Sequence, residues 1–416
     1  MTAATSFTAE RLYQEREQRV MNAIALKKPD RVPVLALFGS SAAKWAGITA
    51  REEACDVGKY MEANFRMNVE FQPDMATLTP IPGAVLEALD YRQLKWAGHG
   101  LPNDAAFQYV DGEYMKAEEY DALLYDPSDF IVRIYWPRVY GKLGIFRTLA
   151  PIRQAIGFFA PQISFLSFGI PGGIEALEAL KKAGEEALKG LQALAVTVEK
   201  LKEAGLPAAF LAGTQAPFDL IGDFLRGRKG CMLDMYRRPE KLRAACEKLL
   251  PMAVETAVVG ARMSGNPRVF IALHGCIEGF MSVDQFKNFY WPTFRELLVA
   301  LTREGLFPVV LVEGGSTSRL EIMQAVPEGK ICYIFEQVDI VKAKQVLAHK
   351  VCIAGNVPLS LLATGAPDQV RAYCRKLVET VGKDGGYIMS SGGSMDDARP
   401  ENIRAMIDST KEYGVY

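Results

Sequence analysis

Six apolar runs, each followed by a helix-like segment, dominate the second half of the chain and restrict its fold more than any other feature. They are PAAFLAG (207–213), RVFIALHG (268–275), FPVVLVEG (307–314), KICYIFE (330–336), KVCIAGN (350–356) and GYIMSSGG (386–393). Between them lie segments such as SVDQFKNFYWPTFRELLVALTREG (282–305) and APDQVRAYCRKLVETVGKDGG (366–386), with helical periodicity. Runs that are continuously apolar, not alternating in polarity, suit parallel strands covered on both faces. Two earlier runs, RVPVLALFG (31–39) and PDMATLTPI (73–81), bring the number to eight. Eight such units predict an α/β fold, a TIM (β/α)8 barrel. An N-terminal helical extension over 1–30 and insertions between the early strands complete it. The insertions concentrate in 82–206, where the pattern is irregular and a long helix spans 173–205. A barrel with insertions reaches this length, so 1–416 reads as one domain. Helix starts are marked by Ser282 with Gln285 at capping-box spacing and by Pro239 and Pro400 in first turns.

In such a barrel the chemistry sits at the C-terminal ends of the strands. Those ends carry His274, Glu313, Glu336, Asn356 and the pair Ser390–Ser391. Glycine directly follows His274, Glu313 and Ser391, which lets the chain turn sharply and a ligand come close. The chain has three histidines, so one at a strand end is informative. An acid closing a wholly apolar parallel strand has few structural partners, which favours a site role for Glu313. For His274 a structural hydrogen bond is the alternative, and for Glu336 an ion pair at the barrel mouth. Asp396 and Asp397, in SSGGSMDDARP after the last strand, are further acids, with a solvated loop as their alternative. The aromatic run at 289–291 falls on a helix and reads as core.

Composition removes other classes. The 48 basic and 49 acidic residues leave a net charge of −1, without the basic surplus of a nucleic-acid binder. No run approaches the length of a spanning helix, and no signal peptide is visible, so a cytoplasmic protein without a membrane role is expected. The seven cysteines are scattered and form no CxxC pair, which suits reduced core residues.

The stretches KKPDRVPV (27–34), FYWPTFREL (289–297), GNVPLSLLATGAPDQV (355–370) and ENIRAMIDSTKEYG (401–414) resemble the uroporphyrinogen decarboxylase superfamily. The resemblance implies a TIM barrel and either porphyrinogen decarboxylation or corrinoid-linked methyl transfer. The decarboxylases carry an arginine-bearing segment near the first strand that grips substrate carboxylates. Here that region reads LFGSSAAKWAGIT (37–49), with Lys44 as its one cation. The thiol-methylating branch holds zinc on a His-x-Cys pair and a later Cys, and those places hold Val312, Gly314 and Gly393. What remains is similar to the first methyltransferase of O-demethylase systems.

That likeness implies methyl transfer from a small methoxylated aromatic to Co(I) of cobalamin carried by a separate corrinoid protein. No DxHxxG loop surrounds any histidine, so the corrinoid is expected on a partner. It also implies zinc. The branch's Glu-x14-Glu-x20-His spacing is met by Glu313, Glu328 and His349. Barrel geometry favours a different set, Glu313, His274 and Glu336, because Glu328 and His349 precede their strands. The expected catalytic residues are Glu313, His274, Glu336 and Asp396, with Asn356, Ser390 and Ser391 toward the cofactor. Methylamine or thioether donors, or decarboxylation, are the alternatives. A homo-oligomer is left open.

Overall fold

In the computed structural model, which describes residues 3–416, seven parallel strands form one sheet. In chain order they are β1 (Val34–Leu35), β2 (Ala212–Gln215), β3 (Arg268–Leu273), β4 (Phe307–Gly315), β5 (Cys332–Gln337), β6 (Cys352–Gly355) and β7 (Tyr387–Ser390). The spatial order is β1-β7-β6-β5-β4-β3-β2. The eighth position is held by residues 75–76. Met75 bridges Leu35 on one side and Ala76 bridges Ala208 on the other, both parallel, which closes the sheet into a barrel. The expected eight-fold closure is therefore present.

The runs at 31–39 and 73–81 shorten to two residues or to single bridges for a local reason. Buried Asp74 accepts from the Val34 N–H at 2.7 Å and takes Arg31 and Arg19 as ion-pair partners. A side chain thus occupies ladder positions that backbone groups would fill.

Alternation along each strand sorts the residues. Leu35, Met75, Val309, Leu311, Cys332, Ile334, Cys352 and Ala354 pack inside, while Val310, Val312, Tyr333 and Phe335 pack against the surrounding helices. The helix α1 (Ala3–Ile24) adds Val20, Ala23 and Ile24 to the inner cluster and so plugs the N-terminal end. Residues 1–2 of the expected extension lie outside the described region.

The 82–206 stretch holds a three-stranded sheet (Leu94–Ala97, Gly100–Leu101, Gln108–Tyr109), short helical turns and the long helix α2 (Gly173–Glu203). Ser282 and Gln285 form the expected capping box, and Pro239 and Pro400 stand in first helical turns. All seven cysteines are free. Among the described residues, no single helix is long and apolar enough to cross a membrane.

Candidate active site at the barrel mouth

The alternation that buries Val309 and Leu311 inside β4 carries Glu313 to the same inner face at the strand's top. Phe270 and Ala272 do the same for His274, and Cys332 and Ile334 for Glu336. All three line an open cavity of ≈ 1200 Å³ at the C-terminal end of the barrel. The glycine after Glu313 has a function here. Gly314 lies in a bulge between β4 and β5, at φ +66, and a Cβ on it would sit 2.8 Å from the Ile277 side chain. Its N–H is thereby aimed at Glu336 Oε2, to which it donates at 2.7 Å.

His274 is the centre of the electrostatics. Its Nδ1 is 2.6 Å from Asp223 Oδ2, and its Nε2 stands 3.7 Å from Glu313 Oε2. Burial opposes a charge on the ring, but the hydrogen bond to Asp223 and the charges of Asp219, Asp223 and Glu313 outweigh it. The imidazole is pushed up to about 9 and is protonated at neutral pH. Burial also pushes the Glu313 carboxyl up; His274 draws it back, and Glu336, Asp219 and Asp223 raise it again. Asp219 is fully buried. It accepts from the His274 and Gly275 N–H groups at 3.1 and 2.7 Å and from the Tyr290 hydroxyl at 2.6 Å. A Cβ at Gly275 would lie 2.7 Å from that carboxylate, so glycine permits the contact. Arg228 ties Asp223 from the other side at 2.5 Å.

Asp219, Asp223 and Arg228 come from APFDLIGDFLRGRK (216–229), the segment leaving β2, which sequence reasoning passed over. A signal was there: two acids four residues apart after Pro217, so on one face of a helical turn directly beyond a strand top. Tyr290, in the run read as core, is indeed buried, yet its hydroxyl holds Asp219.

Asp396 lines the opposite wall, where its Oδ1 accepts from Ser40 N–H and the Ser394 hydroxyl. Asp397 turns away to Lys44 at 2.5 Å. The structure does not bring Asn356, Ser390 and Ser391 to the cavity. Asn356 donates its amide to the Glu336 and Val338 carbonyls. Both serines are fully buried, with the Ser391 hydroxyl on the Gly393 carbonyl, so neither can meet a cofactor carried by another protein.

The residues present do not fit the expected zinc. Among the described residues, no group of three or more His, Cys, Asp or Glu could hold a metal ion. In the set favoured by barrel geometry, Asp223 holds His274 Nδ1 at 2.6 Å and Nε2 faces Glu313 Oε2 at 3.7 Å. Glu336 is engaged by the Gly314 N–H. The spacing-based set fails earlier. Glu328 and His349 precede β5 and β6, on the face opposite Glu313, and Glu328 pairs with Lys350 at 3.6 Å.

Six carboxylates line the cavity (Glu53, Asp111, Asp223, Glu313, Glu336 and Asp396), against two basic side chains, Arg228 and His274. Phe107, Tyr109, Phe270 and Phe280 supply apolar wall. Phe107 and Tyr109 come from the insertion and meet edge to face at 5.8 Å between centroids.

A family model described as uroporphyrinogen decarboxylase (URO-D) matches residues 170–413. Similar curated proteins are uroporphyrinogen decarboxylases. That of Chlorobium phaeovibrioides is 26% identical over 137 residues, 32% of this chain and 38% of that protein. That of Chlorobium phaeobacteroides is 24% identical over 187 residues, 44% and 52% respectively. That of Trichodesmium erythraeum is 26% identical over 239 residues, 55% and 64%. The alignments thus span between 38% and 64% of the length of these relatives. Among solved structures, a methyltransferase from Methanosarcina mazei superposes with a TM-score of 0.63 at 15% identity, over 96% of this chain and 98% of that one. This likeness shows the shared fold.

Proposed function

The chain belongs to the uroporphyrinogen decarboxylase family, and from that premise we propose that it transfers a methyl group from an aryl methyl ether to Co(I) of a separate corrinoid protein. One observation carries the reading: an imidazole pushed up to about 9 stands 3.7 Å from a carboxyl group on the wall of an open cavity. Breaking the methyl–oxygen bond of an aryl ether leaves its electron pair on a phenolate. A phenol has a pKa of about 10, as tyrosine does, so His274 can hand over its Nε2 proton with little loss of driving force.

The carrier's Co(I) supplies the electron pair that receives the methyl group. The chain's own residues do the rest. Asp223 keeps His274 oriented and charged. Glu313, whose carboxyl burial pushes up, lies 3.7 Å from Nε2, and its charge helps keep the ring protonated. The aromatic wall suits a flat ring, and the volume exceeds what one small ring needs, leaving the mouth open to a docked carrier.

The relatives' names favour decarboxylation as the second reading. A polycarboxylate substrate needs cationic partners, and here it would meet six carboxylates, with Arg228 already bound to Asp223. A protonated methylamine would tolerate those acids better than a porphyrinogen would. The test mixes the protein with 2-methoxyphenol and a Co(I) corrinoid carrier. Loss of the Co(I) spectrum with matching release of catechol is expected, and Glu313→Gln should slow it about a hundredfold. No demethylation of any O-methyl donor, together with decarboxylation of a porphyrinogen or demethylation of an amine, refutes the assignment.

A further inference from the structure

The residues between Thr148 and Ser167 form a loop that is closed at its base and buried nowhere. Its ends are held on the body of the insertion. The Thr148 hydroxyl donates to the Ser167 hydroxyl at 2.9 Å, and Phe146 meets Phe168 edge to face at 6.0 Å between centroids. From Leu149 to Leu166 no residue is buried, yet large apolar side chains abound. Ile152, Ile156, Phe158, Phe159, Ile163 and Phe165 are all more than three-fifths exposed. Ile156 and Phe158, at 86% and 90%, are the most exposed large apolar side chains among the described residues. Gly157 stands between them at φ +108, a conformation that glycine permits. Compact surface loops pack on their own side chains. This one leaves them in water, and soluble monomers seldom leave such a contiguous patch uncovered.

We propose that the 149–166 loop is an interfacial anchor that seats the protein on an anionic phospholipid bilayer, with its isoleucines and phenylalanines at the boundary of headgroups and acyl chains. Charge identifies the occupant. From Phe130 to Ile174 the chain has no acid and five basic residues, in a protein whose net charge is −1. Arg133, Arg138 and Arg153 pair with acids that precede this stretch. Lys142 and Arg147, in the turn that leads to the loop's base, are exposed and take no ion-pair partner among the described residues. Free cations behind an apolar, aromatic tip suit a surface of anionic lipid. A second copy of the chain fits worse, because a two-fold contact through the loop would set like charges together with no acid in the stretch to answer them. The shape agrees. The helical stretch Ala160–Phe168 meets α2 at 75°, so with α2 standing on the bilayer that stretch lies nearly flat along it. The charged side chains of α2, from Glu175 onward, then stay on the aqueous side. The expectation of no membrane role rested on spanning helices and a signal peptide. A loop that enters only the ~5–10 Å boundary layer carries neither signature.

Co-sedimentation of the full chain with sucrose-loaded vesicles tests this, using phosphatidylcholine alone and phosphatidylcholine mixed with phosphatidylglycerol. The wild type should pellet with the anionic vesicles, and less so as salt is raised. Phe158→Ser with Phe159→Ser should weaken that binding by about tenfold or more, the scale of withdrawing large apolar side chains from the interface. Lys142→Glu with Arg147→Glu should weaken it by about tenfold or more on the anionic vesicles, and leave residual binding to phosphatidylcholine unchanged. Neither pair should shift the melting temperature, because all four side chains face solvent. Phe158→Trp should move its emission to the blue when anionic vesicles are added, which reads the loop itself. A wild type that stays in the supernatant at about 1 mM anionic lipid, ten times the ~0.1 mM that half-saturates a single myristoyl anchor, overturns the proposal. So does vesicle binding indifferent to both pairs of substitutions, or emission of the tryptophan variant that does not move. Serine variants that lose a protein partner or self-association while keeping their vesicle binding overturn it as well.

Discussion

Replacing Asp223 by asparagine keeps a hydrogen-bond acceptor for His274 Nδ1 but removes the charge that holds the ring protonated. The wild-type imidazole sits at about 9 against an ordinary 6.5. At ~1.36 kcal/mol per unit that difference is worth roughly 3 kcal/mol. His274 is about four-fifths buried, so most of that survives solvent screening. Burial opposes the charge, so the whole gain comes from Asp223, Asp219 and Glu313, with the Asp223 hydrogen bond the largest favourable part. Asp223→Asn should therefore lower the His274 midpoint by about one unit or more. Proton–carbon NMR can follow it directly, because the chain has three histidines and His274→Asn identifies the relevant resonance. Stability should respond in step. A folded-state pKa above the unfolded one contributes stability that is fully present below pH 6.5 and is lost as pH rises through 9. The wild type should thus lose up to roughly 3 kcal/mol of unfolding free energy across that window, and the variant much less. The alkaline limb of demethylation should move down by the same interval. A His274 resonance that titrates near 6.5 in the wild type, or at one pH in both proteins, refutes the electrostatic account of the site.

Gly314→Ala forces a side chain into a left-handed conformation and against Ile277, and should cost about 1–2 kcal/mol in urea denaturation. Because it moves the N–H that binds Glu336, its kcat should fall more than its stability alone predicts; equal activity per folded molecule would contradict that. Asp219→Ala strands two backbone N–H groups and the Tyr290 hydroxyl, and should cost about 3–5 kcal/mol. A loss below about 1 kcal/mol, the net worth of one ordinary hydrogen bond, would mean that Asp219 is not the buried anchor its contacts describe.

The barrel was legible in the linear chain because strands buried on both faces read as unbroken apolar runs, and the helices between them carry their own start signals. The top-face position of His274, Glu313 and Glu336 was legible for a related reason: side chains alternate along a strand, so a residue two beyond an inward Leu311 also points inward. The same argument applied to Asn356 and Ser390 and misled, because those side chains turn back to backbone or stay buried instead of opening to the cavity. A three-point ligand spacing through Glu328 and His349 was equally plain on paper, yet its members stand at opposite ends of the barrel.

Sequence by itself thus determined the periodicity, the parallel strands and which end of each strand could carry chemistry, since these follow from local stereochemistry and burial. Only the tertiary structure decided that Asp219 and Asp223, from the segment after β2, reach His274 on the next strand's end. It alone decided that this contact favours the charged form of the imidazole. Charge on a buried ring depends on every dipole and carboxylate within a few ångströms, and those neighbours are chosen by folding, not by adjacency along the chain.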